Sequence, residues 1–202
     1  SLKVHRATGR ALRFYQREGF EIVTAGVGRN GEYVRLEKML TPTRVVAIHQ
    51  PNYFPWAGYF YKMAHCDTFL FLDDAQFSKH SYINRTRIKS PTGVRWLTVP
   101  VNGSTRQTIA QTRLTRGNWR SKHLKTLQGA YAKAPHFKRV FPWVADLLDR
   151  TQAEQLAELN MTIITAVAHQ LGVTTSFRCS SDWASAATGT PAMAAMSLRL
   201  TA

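Results

Sequence analysis

Three short polar runs hold the side chains of this chain that could carry chemistry. The first, Ile48-His49-Gln50-Pro51-Asn52-Tyr53-Phe54-Pro55-Trp56, combines an imidazole, two amides and two large aromatics around a pair of prolines. His49 can act as a general acid–base or donate to an anion, or it can be a partly buried histidine bonded to backbone. Gln50 and Asn52 can contact a ligand or tie the turn together. Tyr53 and Trp56 can stack on a base or sugar, or belong to the core. The second run, Asp73-Asp74-Ala75-Gln76, places two carboxylates and an amide side by side. Such acids can fix a substrate amine or hydroxyl, hold Mg²⁺ through oxygen, or pair with nearby arginines. Adjacent acids point in different directions, so no metal site is expected from them. The third run, Asn84-Arg85-Thr86-Arg87-Ile88-Lys89, alternates as a strand does and puts Arg85, Arg87 and Lys89 on one face. Three cations together call for a phosphate or for carboxylates such as Asp73 and Asp74. Trp119-Arg120-Ser121-Lys122-His123 has the same ambiguity with weaker force. No nucleophile elbow, Walker loop, zinc motif or dinucleotide fingerprint is present.

The elements around these runs explain why they could converge. Val45–His49 and Thr68–Leu72 read as buried strands, and their polar residues fall just beyond the strand ends, where α/β sheets place ligands. Pro51, Asn52 and Pro55 force a turn, and Trp56–His65 continues as a helix whose free N–H groups favour an anion. Ile83–Lys89 and Val94–Pro100 read as a hairpin around Ser90-Pro91-Thr92-Gly93. Thr108–Leu114 reads as a further strand, and Asn118–Ala132 and Phe141–Arg150 as helices. Ala153–Leu171 is the clearest helix, with Leu156, Leu159, Ile163, Ile164, Val167 and Leu171 on a packed face and Gly172 as its cap. Thr174–Cys179 returns as a strand into Ser180-Ser181-Asp182. This β-then-α alternation indicates a mixed α/β fold.

Before Thr41-Pro42-Thr43 the pattern differs. Thr8–Glu18 reads as an amphipathic helix stopped by Gly19, followed by strands at Phe20–Ala25 and Glu32–Leu40 around a Gly28–Gly31 turn. A helix and one hairpin bury little core alone. Residues 1–40 are therefore read as one fragment, 41–43 as a linker and 44–202 as a second domain, with both chain ends expected to be cut.

The chain has 202 residues and a formal net charge of +15. A basic surface attracts phosphates in general. The cations are spread along the chain, which argues against a disordered nucleic-acid arm; a basic nucleic-acid binder stays open only on the charge itself. Cys66 and Cys179 are the two cysteines, far apart and without metal-ligand spacing, so a reduced, cytoplasmic setting is expected. No apolar run is long enough to span a membrane.

Two resemblances sharpen this reading. Ala11–Glu21, with Gly31–Lys38, resembles the C-terminal end of a GNAT-type N-acetyltransferase. The resemblance implies that Tyr15 matches a tyrosine that protonates departing coenzyme A. It also implies acetyl-CoA as cofactor only for a complete domain, because the pyrophosphate-binding loop is missing and Thr8 stands where the family often has asparagine. From Arg44 onward the chain resembles the WbqC-like family through Ile48–Trp56 with Gly58, Phe71–Lys79, Asn84–Lys89, Trp96–Val101, Trp119–His123, Tyr131 and Ser180-Ser181-Asp182. That resemblance implies a role in O-antigen or other cell-surface polysaccharide assembly, as a transferase using a nucleotide-linked sugar or an activated acyl or aminoacyl group. In that picture Arg85, Arg87 and Lys89 hold phosphate, Asp73 orients an amine or hydroxyl, and His49 moves the proton; a nucleotidyl-transfer site is the enzymatic alternative.

Overall fold

The computed structural model describes residues 2–5, 12–13, 16–17, 21–28, 31–37 and 44–182. The chain divides into two compact units, Ser1–Thr43 and Arg44–Ala202. In the first, strands β1 (Leu2–His5), β2 (Glu21–Gly28) and β3 (Gly31–Glu37) form an antiparallel sheet in the order β1-β3-β2. Leu12, Arg13, Gln16 and Arg17 are helical. The central strand buries Val34 and Leu36 and exposes Glu32 and Arg35, the two-residue alternation of a strand with one covered face. The hairpin is where the sequence places it, but β1 is an additional strand. Tyr15 and Thr8 lie outside the described residues.

The second unit is mixed α/β, built on a small parallel sheet. Strand β4 (Val46–His49) leads through helix α1 (Ala57–Ala64) to β5 (Thr68–Phe71), and the late strand β10 (Ser176–Cys179) pairs on the other side of β5. The order β10-β5-β4 puts β5 in the centre. All four β5 residues are buried, which is why that stretch is apolar without alternation. Between β5 and β10 come the hairpin β6 (Arg85–Ser90)/β7 (Gly93–Thr98), the short pair β8 (Val101–Asn102)/β9 (Arg113–Leu114), and helices α2 (Trp119–Tyr131), α3 (Phe137–Arg150) and α4 (Leu156–Gln170).

Helix α4 joins two cores. Leu156, Leu159 and Ile163 pack with Tyr53, Phe77, Ile83, Leu97 and Leu148, whereas Ile164 and Ala168 pack with Tyr59, Phe60, Met63, Phe69 and Phe71 from α1 and the sheet. Its end is a Schellman turn. Gly172 has φ +72°, its N–H donates to His169 O, and the Val173 N–H donates to Ala168 O. That positive φ is the reason glycine stands there.

Three expectations change. Leu171, expected on the packed face of α4, is exposed at the end of that helix. Helix α3 starts at Phe137 rather than Phe141 and carries Pro142 inside its first turns. Only Arg113–Leu114 of the Thr108–Leu114 stretch is strand. Thr112 folds back there, its hydroxyl donating to Thr108 O at 2.9 Å and its N–H to Ile109 O at 3.1 Å, a local alternative to ladder pairing.

Buried Asn160 sits among the apolar residues of α4 and fastens the turn after β4. Its Nδ2 donates to Pro51 O at 2.9 Å and to Ile83 O at 2.7 Å. Asn160→Leu removes both donors and leaves two buried carbonyls unanswered, so we expect a loss of roughly 3 kcal/mol. Chemical denaturation checks this; a loss below about 1 kcal/mol would show that the turn does not depend on Asn160.

Candidate functional site

The three parallel strands end together. β4 ends at His49, β5 runs through Phe71 and Leu72 into Asp73 and Asp74, and β10 ends at Cys179 before a 3₁₀ turn, Ser180–Asp182. The Leu72 N–H donates to His49 O at 2.9 Å, which extends the β4–β5 ladder to the edge of the sheet. The carboxyl edge of a parallel sheet is where strand ends leave room for side chains of neighbouring loops to meet.

His49 is half-buried. Its Nδ1 lies 3.0 Å from Gln50 O, and a carbonyl only accepts, so Nδ1 carries the hydrogen and Nε2 keeps the lone pair. Nε2 makes no hydrogen bond among the described residues. The ring meets Tyr59 edge to face at 4.8 Å, and the Tyr59 hydroxyl donates to the same Gln50 carbonyl at 3.1 Å. Burial lowers the His49 pKa, the Gln50 hydrogen bond opposes that, and the nearby Lys62 ammonium lowers it further. Lys62 is held in place by donating to Ile48 O at 3.2 Å. The imidazole is thus neutral at neutral pH with one free basic nitrogen.

Asp73 is 3% exposed and is tied to β10. Its Oδ1 accepts from Ser180 Oγ and from the Ser181 N–H, each at 3.0 Å, and its Oδ2 accepts from Ser181 Oγ at 2.6 Å. Asp74 Oδ1 accepts from the same Ser180 hydroxyl at 2.5 Å. One hydroxyl hydrogen therefore faces two carboxylates, and the Ser-Ser pair clamps the ends of β5 and β10. The serines stood in the sequence as a strand terminus, and their role as partners of Asp73 was not legible there, since 107 residues separate Ser180 from it. At Cys179, beside them, burial first, then Asp73 and Asp182, push the thiol up to about 11, which disfavours the thiolate.

Neither Asp73 nor Asp74 forms an ion pair with Arg85 or Arg87 among the described residues. Both arginines turn instead to Trp96, Arg85 at 4.0 Å from the ring centroid and Arg87 at 5.8 Å. Tyr82 adds to this face, 5.5 Å from Trp96. The three cations of β6 part company beyond it. Arg85 lines a cavity of about 420 Å³ with Lys79, His80, Asn84 and Gly103. Arg87 lines a separate apolar groove, and Lys89 is exposed near the hairpin tip, opposite Val94.

One loop runs along the chain from Asp73 at the carboxyl edge to Phe77 and Lys79, which line the Arg85 cavity. Ala75 O accepts from Ile109, the Phe77 N–H donates to Gln107 O, and exposed Gln76 donates to Thr105 O, so Asp73–Phe77 is held as a rail leading to Lys79. Within the cavity wall Asn84 Nδ2 donates to Val99 O at 3.1 Å, while Asn84 Oδ1 and Arg85 Nε are buried without a partner among the described residues. Arg85 Nη2 donates to His80 O, and His80 holds a φ of +61°. For a non-glycine residue that is a strained conformation, of the kind found at binding sites.

The remaining candidates lie elsewhere. Asn52 and Tyr53 are buried. The Tyr53 hydroxyl lies 3.0 Å from His123 Nδ1, and His123 Nε2 lies 3.1 Å from Thr98 O. Because Thr98 O only accepts, Nε2 carries the hydrogen, and Tyr53 donates to Nδ1. Trp56 is 67% exposed, its ring folded over Gly58; a methyl there would fall 1.7 Å from Trp56 Cζ3. Arg120 donates to Thr151 O at 2.9 Å.

Half-buried His49 and buried His123 give a pH prediction. Burial lowers the pKa of His123, against its Thr98 hydrogen bond, as it does for His49. Below about pH 6.5 the unfolded chain therefore binds protons that the folded chain refuses, and stability falls as pH falls through the window beneath that value. Thermal melts between about pH 7.5 and 5 should show this decline. His123→Gln should flatten it in part; an unchanged slope would remove His123 as a cause.

The second unit is thus an α/β domain whose parallel strands lead to His49, Asp73 and Ser180, with the Arg85 cavity lined by other segments. The chain belongs to the WbqC-like protein family, which matches residues 50–202. It is also similar to uncharacterized protein Rv1507c of Mycobacterium tuberculosis, 37% identical over 140 residues, covering 68% of this chain and 60% of that protein. The chain thus spans about three fifths of the relative's length. No solved structure matches it significantly. Among the described residues no helix is long and apolar enough to cross a membrane.

Proposed function

We propose that residues 44–202 act as a transferase of cell-surface polysaccharide assembly, taking a nucleotide-linked sugar as donor. The observation that carries this reading is the cavity lined by Lys79, Asn84 and Arg85, where Asn84 Oδ1 and Arg85 Nε are buried without a partner among the described residues. A guanidinium and an ammonium fit a phosphate. An unanswered amide oxygen fits a hydroxyl or amino hydrogen. A sugar phosphate presents both within one small molecule. His49, with Nε2 free and the ring kept neutral, supplies a general base for the acceptor hydroxyl or amine.

Calorimetric titration of the full chain with nucleotide sugars, and separately with acyl-CoA, tests this. Nucleotide-sugar binding should weaken about tenfold in Arg85→Ala, the expected loss of one charged hydrogen bond. Binding that is indifferent to Arg85, or confined to acyl-CoA, would sink the sugar-nucleotide assignment; the second outcome would favour an activated acyl donor.

For the first unit we infer the C-terminal end of an acetyltransferase fold. The succession of helical residues and the β2–β3 hairpin supports that reading.

A further inference from the structure

We propose that the groove between β6–β7 and the α2–α3 corner binds a single-chain amphiphile with an anionic phosphate head. This goes beyond the sugar-transferase reading, since its cavity and its measurable consequences are separate from those of Arg85 and Asn84. The groove has a volume of about 430 Å³, within the roughly 300–1,000 Å³ range of small-molecule sites. Its floor is Ile88 and Leu97, which are 8% and 3% exposed, and its walls include Phe54, Val144 and the stacked pair Phe137–Phe141 at 4.7 Å. Thr86 offers no free donor to it, because its hydroxyl already donates to Phe54 O at 3.0 Å. Phe54 holds that carbonyl with a φ of +42°, a strained backbone kept at the groove's edge.

Charge selects the occupant. Arg87 and His136 are the basic residues that line the groove; close by in the chain, hairpin residues 85–98 also carry Lys89 and Arg95, and residues 131–141 carry Lys133, Lys138 and Arg139, while Arg85 lines the separate cavity. Neither stretch contains an aspartate or glutamate. Arg87 lines the groove, is exposed, and has no carboxylate partner among the described residues. An apolar peptide would fill the recess and leave Arg87 unanswered, while a stable protein interface needs roughly 800 Å² on each partner. A hydrocarbon chain seated on Ile88 and Phe141, with its phosphate at Arg87, answers both the apolar floor and the cationic rim.

Titration calorimetry and amide-shift mapping with decyl phosphate below its micellar concentration test this, against decyl maltoside, inorganic phosphate and anionic phospholipid vesicles. Decyl phosphate should bind once per chain, about tenfold tighter than decyl maltoside, with shifts at Ile88, Phe137 and Val144. Arg87→Gln should remove most of that preference and leave decyl maltoside binding unchanged. Ala134→Trp, at an exposed lining position, should block both amphiphiles without lowering the melting temperature. Equal affinity for the two amphiphiles, equal affinity for inorganic phosphate, insensitivity to both variants, or binding to vesicles without binding the monomer would each overturn the proposal. Nucleotide-sugar binding is measured independently through Arg85→Ala, so the failure of one reading leaves the other standing.

Discussion

Replacing His49 with glutamine is expected to lower turnover in the proposed sugar transfer by about 10²- to 10⁴-fold, the range for losing a positioned general base. The side chain is held by its own backbone neighbourhood: Nδ1 donates to Gln50 O, Tyr59 braces the ring, and Leu72 ties the strand end to β5. Glutamine can keep the donation to Gln50 O and much of the volume, but it has no basic nitrogen to replace Nε2. The fold should survive, so the melting temperature at pH 8 should move little. The pH profile separates this role from a structural one. Burial and Lys62 keep the His49 pKa low, so the acid limb of kcat/KM should lie below the ordinary histidine value, with activity lost as the imidazole takes up a proton. Lys62→Met should shift that limb to higher pH. A His49→Gln enzyme with near-normal turnover and an unmoved acid limb would remove His49 from the chemistry.

Asp73→Ala should destabilise the second unit by about 4 kcal/mol, the scale for breaking a buried charged network on one side. The carboxylate accepts from two hydroxyls and one backbone N–H of Ser180 and Ser181. Removing it leaves those donors facing a cavity and unclamps β10 from β5. Asp73→Asn should cost about half as much, because one amide oxygen can still accept while the amide nitrogen opposes a former donor. Urea denaturation, with Ser181→Ala in a double-mutant cycle, measures the coupling. If Asp73→Asn left stability intact and abolished substrate binding, Asp73 would be a ligand-contacting carboxylate and the clamp a minor feature.

Much of the fold was legible because local patterns agree with it. The uninterrupted apolar run at Thr68–Phe71 became the buried central strand, the alternation at Arg85–Lys89 became β6, and the apolar stripe from Leu156 became α4 with Gly172 as its cap. Pro142 hid the start of α3: its missing N–H marks a helix start by pattern, yet it is accommodated within the first turns. At Thr108–Thr112, side-chain-to-backbone bonds outcompeted the strand that the sequence suggested. Asn160 had a readable signal, an amide at a core position of an apolar stripe, but its partners Pro51 and Ile83 are far away in the chain.

The sequence by itself determined the residue types available at the strand ends, the mixed α/β character, the basic surface and the family to which the chain belongs. Tertiary structure alone decided how those residues are used. By its sequence Asp73 could meet Arg85 or a substrate, and it meets Ser180 and Ser181 because β10 joins the sheet beside β5. Arg85, Arg87 and Lys89 share one strand face by local alternation, yet Arg85 and Arg87 line different cavities and Lys89 is exposed. Local periodicity is written in neighbouring residues. Hydrogen-bond partners 107 residues apart are fixed only when the parallel sheet closes.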